Sequence, residues 1–195
     1  MNIFEQWTFD RLEKQGLAVF IPYKDRGVDC LIVGKDFRST PQRIQVKGSR
    51  LWLDQENGVS NGWWRINRAK LKESIQKTDF WIFVWPVVGN AGALSPVFIV
   101  IPPQELDCRL GSYSQDSHGF YHVYFALKRQ VAADIRITKG AKDEIIWPKP
   151  SNPLRNYTEF LSYRDGSRSP FDRLRVSELF GPAPGELVEP RAGTQ

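Results

Sequence analysis

Gly27-Val28-Asp29-Cys30-Leu31-Ile32-Val33 and, after a polar connection, Arg43-Ile44-Gln45-Val46-Lys47-Gly48 decide how this chain reads. Each is a short run rich in branched apolar residues and bounded by turn formers, the signature of a strand. Gly34 to Pro41 joins them, so the pair makes a hairpin. Alternation along the second strand sends Ile44 and Val46 to one face and Arg43, Gln45 and Lys47 to the other. Asp29 is an acid at the entrance to an apolar run, where a carboxylate needs compensation from a partner or a metal.

Towards the N-terminus, the pattern from Ile3 to Gln15 predicts a helix that Gly16 stops. At 100° per residue Glu5 shares a face with Phe9 and Leu12, while Ile3, Phe4 and Trp7 fall on another. Leu17 to Ile21 reads as a strand ended by Pro22. Towards the C-terminus, a loop is expected around Gly58, Asn61 and Gly62, then Trp63-Trp64-Arg65-Ile66, and Asn67 caps a helix running to about Lys77.

Phe80 to Trp85 and Val97 to Ile101 are continuous apolar runs of the kind found in strands buried on both faces, ended by Pro86 and Pro102. Gly89 to Ser95 is the turn between them. Tyr121 to Leu127 is another strand, and Ile145-Ile146-Trp147 a last short one. Helical turns are expected over Tyr157 to Tyr163 and Phe171 to Phe180, and the breaker-rich segment from Gly181 reads as a mobile tail. The expectation is one domain over residues 1–180 and a flexible tail over 181–195.

The composition, with 41% hydrophobic and 13% aromatic residues including seven Trp, is that of a folded globule. A net charge of +5 is compatible with a polyanionic partner. Cys30 and Cys108 lie in or beside apolar runs, where a small buried thiol is the usual reading and a reducing compartment fits. No secretory pattern opens the chain, and no apolar run reaches the roughly 18 residues of a membrane span. A cytoplasmic protein without membrane contact is expected.

An acid on a first helix, a second acid at a strand head and a polar-apolar-lysine strand together suit divalent-metal hydrolysis of a phosphodiester. That reaction needs charge neutralised at the phosphate, an activated water and help for the leaving oxygen. Mg²⁺ keeps several waters, so one or two carboxylates and a main-chain carbonyl suffice to hold it. Asp29 and Glu5 offer the carboxylates. Gln45 and Lys47, two residues apart on a strand, share a face, and Lys47 can supply preorganised positive charge.

The order Glu5, Gly16, Asp29, Gln45-Val46-Lys47-Gly48 resembles the PD-(D/E)XK nuclease superfamily, above all its archaeal Holliday-junction resolvases and group I intron homing endonucleases. The resemblance covers residues 2 to about 50. More loosely, Trp64-Arg65, Asp79-Phe80 and Phe98-Ile99-Val100-Ile101-Pro102 are similar to small bacterial and phage members. It implies an α/β, restriction-endonuclease-like core with a mixed central β-sheet flanked by helices, DNA as substrate, and Mg²⁺ or Mn²⁺ as cofactor. It further implies a prokaryotic or phage setting and, for cutting both strands, a homodimer.

Residue by residue, the resemblance matches Glu5 to the first-helix acid, Asp29 to the aspartate of the motif, Gln45 to its D/E position and Lys47 to its lysine. It makes Asp29, Glu5, Gln45 and the Val46 carbonyl the metal ligands. The chain departs from the pattern where Arg26-Gly27-Val28 precedes Asp29 without a proline and where Gln45 replaces an acid. A neutral amide is the weaker ligand, although some homing endonucleases of the superfamily carry glutamine here. A catalytically decayed DNA-binding or structural module of the same fold is therefore the alternative function.

Blander readings stand beside these. Glu5 alone also reads as a solvated helix acid, Asp29 as a turn residue, and Gln45 and Lys47 as the polar face of a half-buried strand. Trp63, Trp64 and Arg65 suit nucleic-acid contact, as do Arg50, Arg68, Lys70 and Lys72 at phosphates, but most Trp residues are core. His118 and His122 have the i, i+4 spacing of a helical metal pair, and Gly119 argues against a helix there. The run from Arg164 to Arg175 reads as solvated surface.

Overall fold

The computed structural model describes residues 1–24, 27–54, 59–88, 94–128, 131–138, 144–146 and 152–162. Its centre is formed by the apolar runs after residue 79. β6 (Phe80–Val88) and β7 (Leu94–Ile101) pair antiparallel, and β6 lies parallel to β3 (Gln42–Gly48), with Ile44 opposite Phe80 and Lys47 opposite Phe83. The sheet is completed by β1 (Leu17–Phe20), β2 (Cys30–Gly34) and β12 (Leu161–Ser162) in the order β1-β2-β3-β6-β7-β12. β3 with β6 is the one parallel step, so the sheet is mixed, with helices against it.

Alternation splits the apolar runs between two cores. Phe80, Ile82, Val84, Phe98 and Val100 meet Ile44, Val46 and the buried Phe9 and Leu12 of α1 (Ile3–Lys14). Trp81, Phe83, Trp85, Ile99 and Ile101 face the other way. There they meet Leu71 of α2 (Arg68–Lys77) and Leu106 and Leu110 of α3 (Pro103–Leu110). Fully burying one such side chain is worth roughly 1.5–3 kcal/mol, and a strand apolar on both faces collects that from each.

The second core is closed by a four-stranded antiparallel sheet of order β4-β5-β8-β9, comprising Trp52–Asp54, Val59–Asn67, Phe120–Lys128 and Val131–Asp134. Its Trp64 and Phe125 rings pack on Phe83 at centroid distances of 5.3 and 5.0 Å. A two-stranded ribbon pairs β10 (Arg136–Thr138) with β11 (Glu144–Ile146).

Several expectations meet the structure directly. α1 ends at Lys14 with Gly16 at φ +85°, β2 and β3 form the antiparallel hairpin, and Asn67 caps α2 by accepting the Lys70 N–H at 3.0 Å. Others are corrected. Asn61 and Gly62 lie inside β5, paired to Ala126 and Phe125. A Cβ on Gly62 would stand 2.3 Å from the Trp64 ring, so the missing side chain there makes room for a core tryptophan.

Pro86 does not end β6. It sits opposite Pro96 within the ladder, so the two residues without an N–H occupy the same step. Cys108 is exposed, because α3 turns Leu106 and Leu110 inward, while Cys30 is buried as expected. Thr158–Phe160 forms a 3-10 turn, and the chain then returns to the main sheet as β12. Gly58, Gly89, Trp147, Tyr163, the Arg164–Arg175 run, the Phe171–Phe180 helix and the tail from Gly181 lie outside the described residues.

Candidate active site

Helix α1 fixes Glu5 through its first turn. The Asn2 side chain accepts the N–H groups of Phe4 and Glu5, both at 3.0 Å. In return, Glu5 Oε2 accepts the Asn2 N–H at 3.0 Å and Oε1 accepts Asn2 Nδ2 at 2.6 Å. This reciprocal capping box satisfies helix-end donors that have no intrahelical partner. Glu5 lines a pocket of about 200 Å³ together with Met1, Phe9, Ile21, Pro22, Val28 and Asp29.

Asp29 lines the same pocket from the segment that leads into β2. Gly27, at φ +84°, turns the chain in ahead of β2. The Asp29 N–H then donates to the Ile44 carbonyl at 2.8 Å, and its Oδ2 accepts the Val46 N–H at 2.6 Å. In an extended strand the N–H and C=O of one residue point to the same edge. The Val46 carbonyl therefore faces the edge on which Asp29 lies, beyond the last paired step of β2, Cys30 with Ile44.

The two acids act electrically at one place. The buried Cys30 thiol is pushed up to about 12, first by burial and then by the negative charges of Asp29 and Glu5. Two carboxylates beside a main-chain carbonyl form an all-oxygen donor set that fits a hard cation such as Mg²⁺, which retains water in its remaining positions. Among the described residues, no group of three or more His, Cys, Asp and Glu is placed to hold a metal.

Gln45 and Lys47 stand on the same strand, on the face opposite to Ile44 and Val46, half-buried beside Trp81 and Phe83. The Lys47 ammonium lies 5.3 Å from the centroid of the Trp81 ring, and the Lys47 carbonyl accepts the Trp64 indole N–H at 3.0 Å. Neither Gln45 nor Lys47 is among the described residues lining the pocket of Glu5 and Asp29. The structure thus joins Glu5 to Asp29 and ties Asp29 to β3 at Val46, which Gln45 and Lys47 flank along the strand.

β3 is itself anchored at its start. The Arg43 N–H and Nε donate to Asp79 Oδ2 at 2.7 and 3.2 Å, and Nη2 donates to Oδ1 at 3.0 Å. The Asp79 N–H returns to the Arg43 carbonyl at 2.8 Å. A bidentate clamp of this kind sets how β3 and β6 begin together, and with it where Val46 falls.

The residues singled out for nucleic-acid contact divide. Trp64 is buried against Phe83, Trp85 and Phe125 and belongs to the core. Trp63 is 38% exposed. Its ring runs nearly parallel to those of His122 and Tyr124 at centroid distances of 5.9 and 6.4 Å. Arg50, Arg68 and Lys70 are exposed. Arg65 is held by Asp116 at 3.2 Å and lies over the Phe120 ring at 4.3 Å.

Asp116 is a hub that the sequence reading missed. Its Oδ2 also meets His122 Nε2 at 2.9 Å, and its Oδ1 accepts the N–H groups of His118 and Phe120, both at 2.9 Å. His122 lies on a strand, so the two histidines form no helical metal pair. Asp-Ser-His-Gly is a legible turn sequence, and an aspartate at its head is the signal that would have found the hub.

No protein-family model matches the chain, and no curated protein sequence matches it. The solved structure of a bacterial homing endonuclease, I-Ssp6803I, matches at 19% identity, covering 79% of this chain and 84% of that one, with a TM-score of 0.39. The functional reading rests on this chain's own residues.

Proposed function

We propose that this chain is a metal-dependent endodeoxyribonuclease that hydrolyses DNA phosphodiester bonds, of the restriction, repair, homing or phage-defence kind. The observation that carries the reading is the docking of Asp29 on β3. Its carboxylate takes the Val46 N–H at 2.6 Å while sharing a pocket with Glu5, one residue along the strand from Lys47. Bound there, Mg²⁺ or Mn²⁺ would neutralise phosphate charge and acidify a water. Asp29 and Glu5 supply the anchoring negative charge, and the Val46 carbonyl adds a neutral oxygen.

Lys47 supplies fixed positive charge for the phosphate. Its contact with the Trp81 ring restrains the ammonium, and charge held in place before reaction is what stabilises a transition state without reorganisation. Gln45, two residues earlier on the same face, offers an amide oxygen that adds no charge. Because each chain carries one such site, cutting both strands of a duplex calls for two chains.

The test is incubation of wild type, Asp29→Asn and Lys47→Ala with supercoiled, linear, single-stranded and branched DNA in Mg²⁺, Mn²⁺ or EDTA. Metal-dependent cleavage by wild type, lost in both folded variants, is the expected result. Cleavage retained by a purified Asp29→Asn/Lys47→Ala double variant would sink the proposal.

A second reading, a non-cleaving DNA-binding module, draws on Glu5 and Gln45. Both Glu5 oxygens are engaged by Asn2, and Gln45 puts a neutral group where an acid would strengthen a metal site. It expects salt-sensitive DNA binding without turnover. Cleavage gained by Gln45→Glu would mark the wild-type site as decayed.

A further inference from the structure

The face of the second sheet opposite Trp64 carries a partly exposed row of rings, with Tyr124 also packed on the small buried cluster of Val59, Ala126 and Ile135. Trp63 on β5 faces Tyr124 directly across the ladder and His122 diagonally, two residues along β8. The interplanar angles are 19° and 21°, so the three rings stand nearly parallel. Trp63, 38% exposed, is not among the core residues beneath it, where Trp64 packs from the next position. The row is not isolated from β3. The Trp63 N–H donates to Ser49 Oγ at 2.9 Å, and the Trp64 indole N–H donates to the Lys47 carbonyl at 3.0 Å. Successive residues of β5 therefore hold the strand end that carries Lys47.

The surroundings of the row are cationic. Arg50 follows Ser49, Arg65 lies two residues beyond Trp63, and Arg68 opens α2, where its N–H donates to the Gly119 carbonyl at 3.1 Å. The acid set among them, Asp116, is taken up by Arg65, His122 and two backbone N–H groups. Flat rings flanked by cations match a polyanion that presents flat rings of its own.

From this we infer that the Trp63–His122–Tyr124 row is a stacking platform for unpaired nucleotides, leading a single-stranded or branched DNA segment towards the Asp29–Lys47 strand. The inference rests on the proposed nuclease reading and names the form of its substrate. Bases in a duplex are already stacked on both faces, so a side-chain ring can receive one only where the strand is open. Arg50 and Arg65 would follow the backbone on either side of Trp63, at phosphates and without reading sequence.

The experiment is binding without cleavage. Fluorescence anisotropy in EDTA compares labelled oligo(dT) with a duplex of equal length, for wild type, Trp63→Ala and Trp63→Phe, each checked for folding by circular dichroism. Wild type is expected to prefer the single strand. Trp63→Ala should weaken that binding about tenfold, and Trp63→Phe should restore most of it. Quenching of intrinsic fluorescence by oligo(dT) should fall in Trp63→Phe.

Equal single-strand binding by Trp63→Ala and wild type, or a wild-type preference for duplex, overturns the inference. So does a wild type that binds neither form at low salt but self-associates through Trp63, which would make the row a protein interface. Stacking-dependent binding in a protein that cleaves nothing would uphold the platform and remove the nuclease.

Discussion

The carboxylate of Asp29 accepts the backbone N–H of Val46 at 2.6 Å, so a side chain occupies the strand edge just ahead of the point where β2 begins to pair. Asp29→Asn keeps an oxygen acceptor for that N–H and removes the charge. It is expected to melt close to wild type and to lose at least a hundredfold in metal-dependent cleavage. Asp29→Ala leaves the N–H without this partner and should cost about 1–3 kcal/mol in addition. Thermal melts alongside a plasmid-nicking assay separate the two effects. An Asp29→Asn that still nicks at the wild-type rate would refute a ligand role.

Glu5 closes a capping box and also lines the pocket with Asp29, so its structural and chemical roles overlap. Glutamine serves at this capping position as well as glutamate. Glu5→Gln should therefore hold stability within about 0.5 kcal/mol while shifting the Mg²⁺ titration to higher concentration and lowering cleavage about tenfold or more. Asn2→Ala should do the reverse, costing about 1 kcal/mol of stability with a smaller effect on cleavage. Denaturant midpoints and Mg²⁺ titrations of activity read the two quantities independently.

What was legible in the sequence is what depends on local periodicity. The helix to Gln15, the hairpin of β2 and β3, the Asn67 cap and the faces of Ile44 and Val46 against Gln45 and Lys47 all follow from alternation and turn chemistry. Asn2 and Glu5 were equally local, and the capping spacing could have been read beside the metal spacing. What was not legible depends on partners distant in sequence. Gly62 looked like a loop residue because nothing nearby says that the Trp64 ring needs its space, and Pro86 looked like a stop because Pro96 lies across the ladder. Asp29 could be seen as an acid at a strand head. That its side chain turns to the Val46 N–H required knowing where β2 begins to pair.

Gly48 ties the site to the helix. A Cβ there would stand 2.1 Å from Cδ2 and 2.3 Å from Cγ of Phe4, at the start of α1 and next to Glu5. Gly48→Ala should push the helix off β3, lowering stability by about 1–3 kcal/mol and cleavage with it. Gly48→Ala combined with Phe4→Ala should recover part of the stability, because the clash is with that one ring. Denaturant unfolding of the single and double variants measures the coupling.

The two thiols differ in environment. Cys108 is exposed, whereas Cys30 is buried with its thiol pushed up to about 12 by burial and by Asp29 and Glu5. A group whose folded pKa is raised contributes stability below its unfolded value and loses it as the pH climbs through the folded one. Native protein at pH 8 should therefore release one equivalent of thiol to an aromatic disulfide reagent, from Cys108, and a second only in denaturant. Stability should fall between about pH 9 and 12, and Cys30→Val should blunt that fall. Rapid labelling of both thiols in native protein would contradict the buried assignment.

Asp116 makes the opposite prediction at acid pH. The hydrogen bond to His122, reinforced by the N–H groups of Phe120 and His118 and by Arg65, holds its carboxyl well below the usual carboxylate range. A depressed folded pKa means stability that is present above the unfolded value of about 4 and is lost as the pH falls below it. Asp116→Asn should melt a few degrees below wild type at pH 7, and the gap should begin to narrow below about pH 4, where Asp116 of the unfolded chain takes up a proton while that of the folded chain stays ionised, and should vanish only as the pH falls through the depressed folded value. High salt should narrow the gap at pH 7, since the group is solvent-facing and its pairing with Arg65 is screened. A gap that stays constant from pH 7 to pH 3 would mean that Asp116 works through its neutral turn geometry alone.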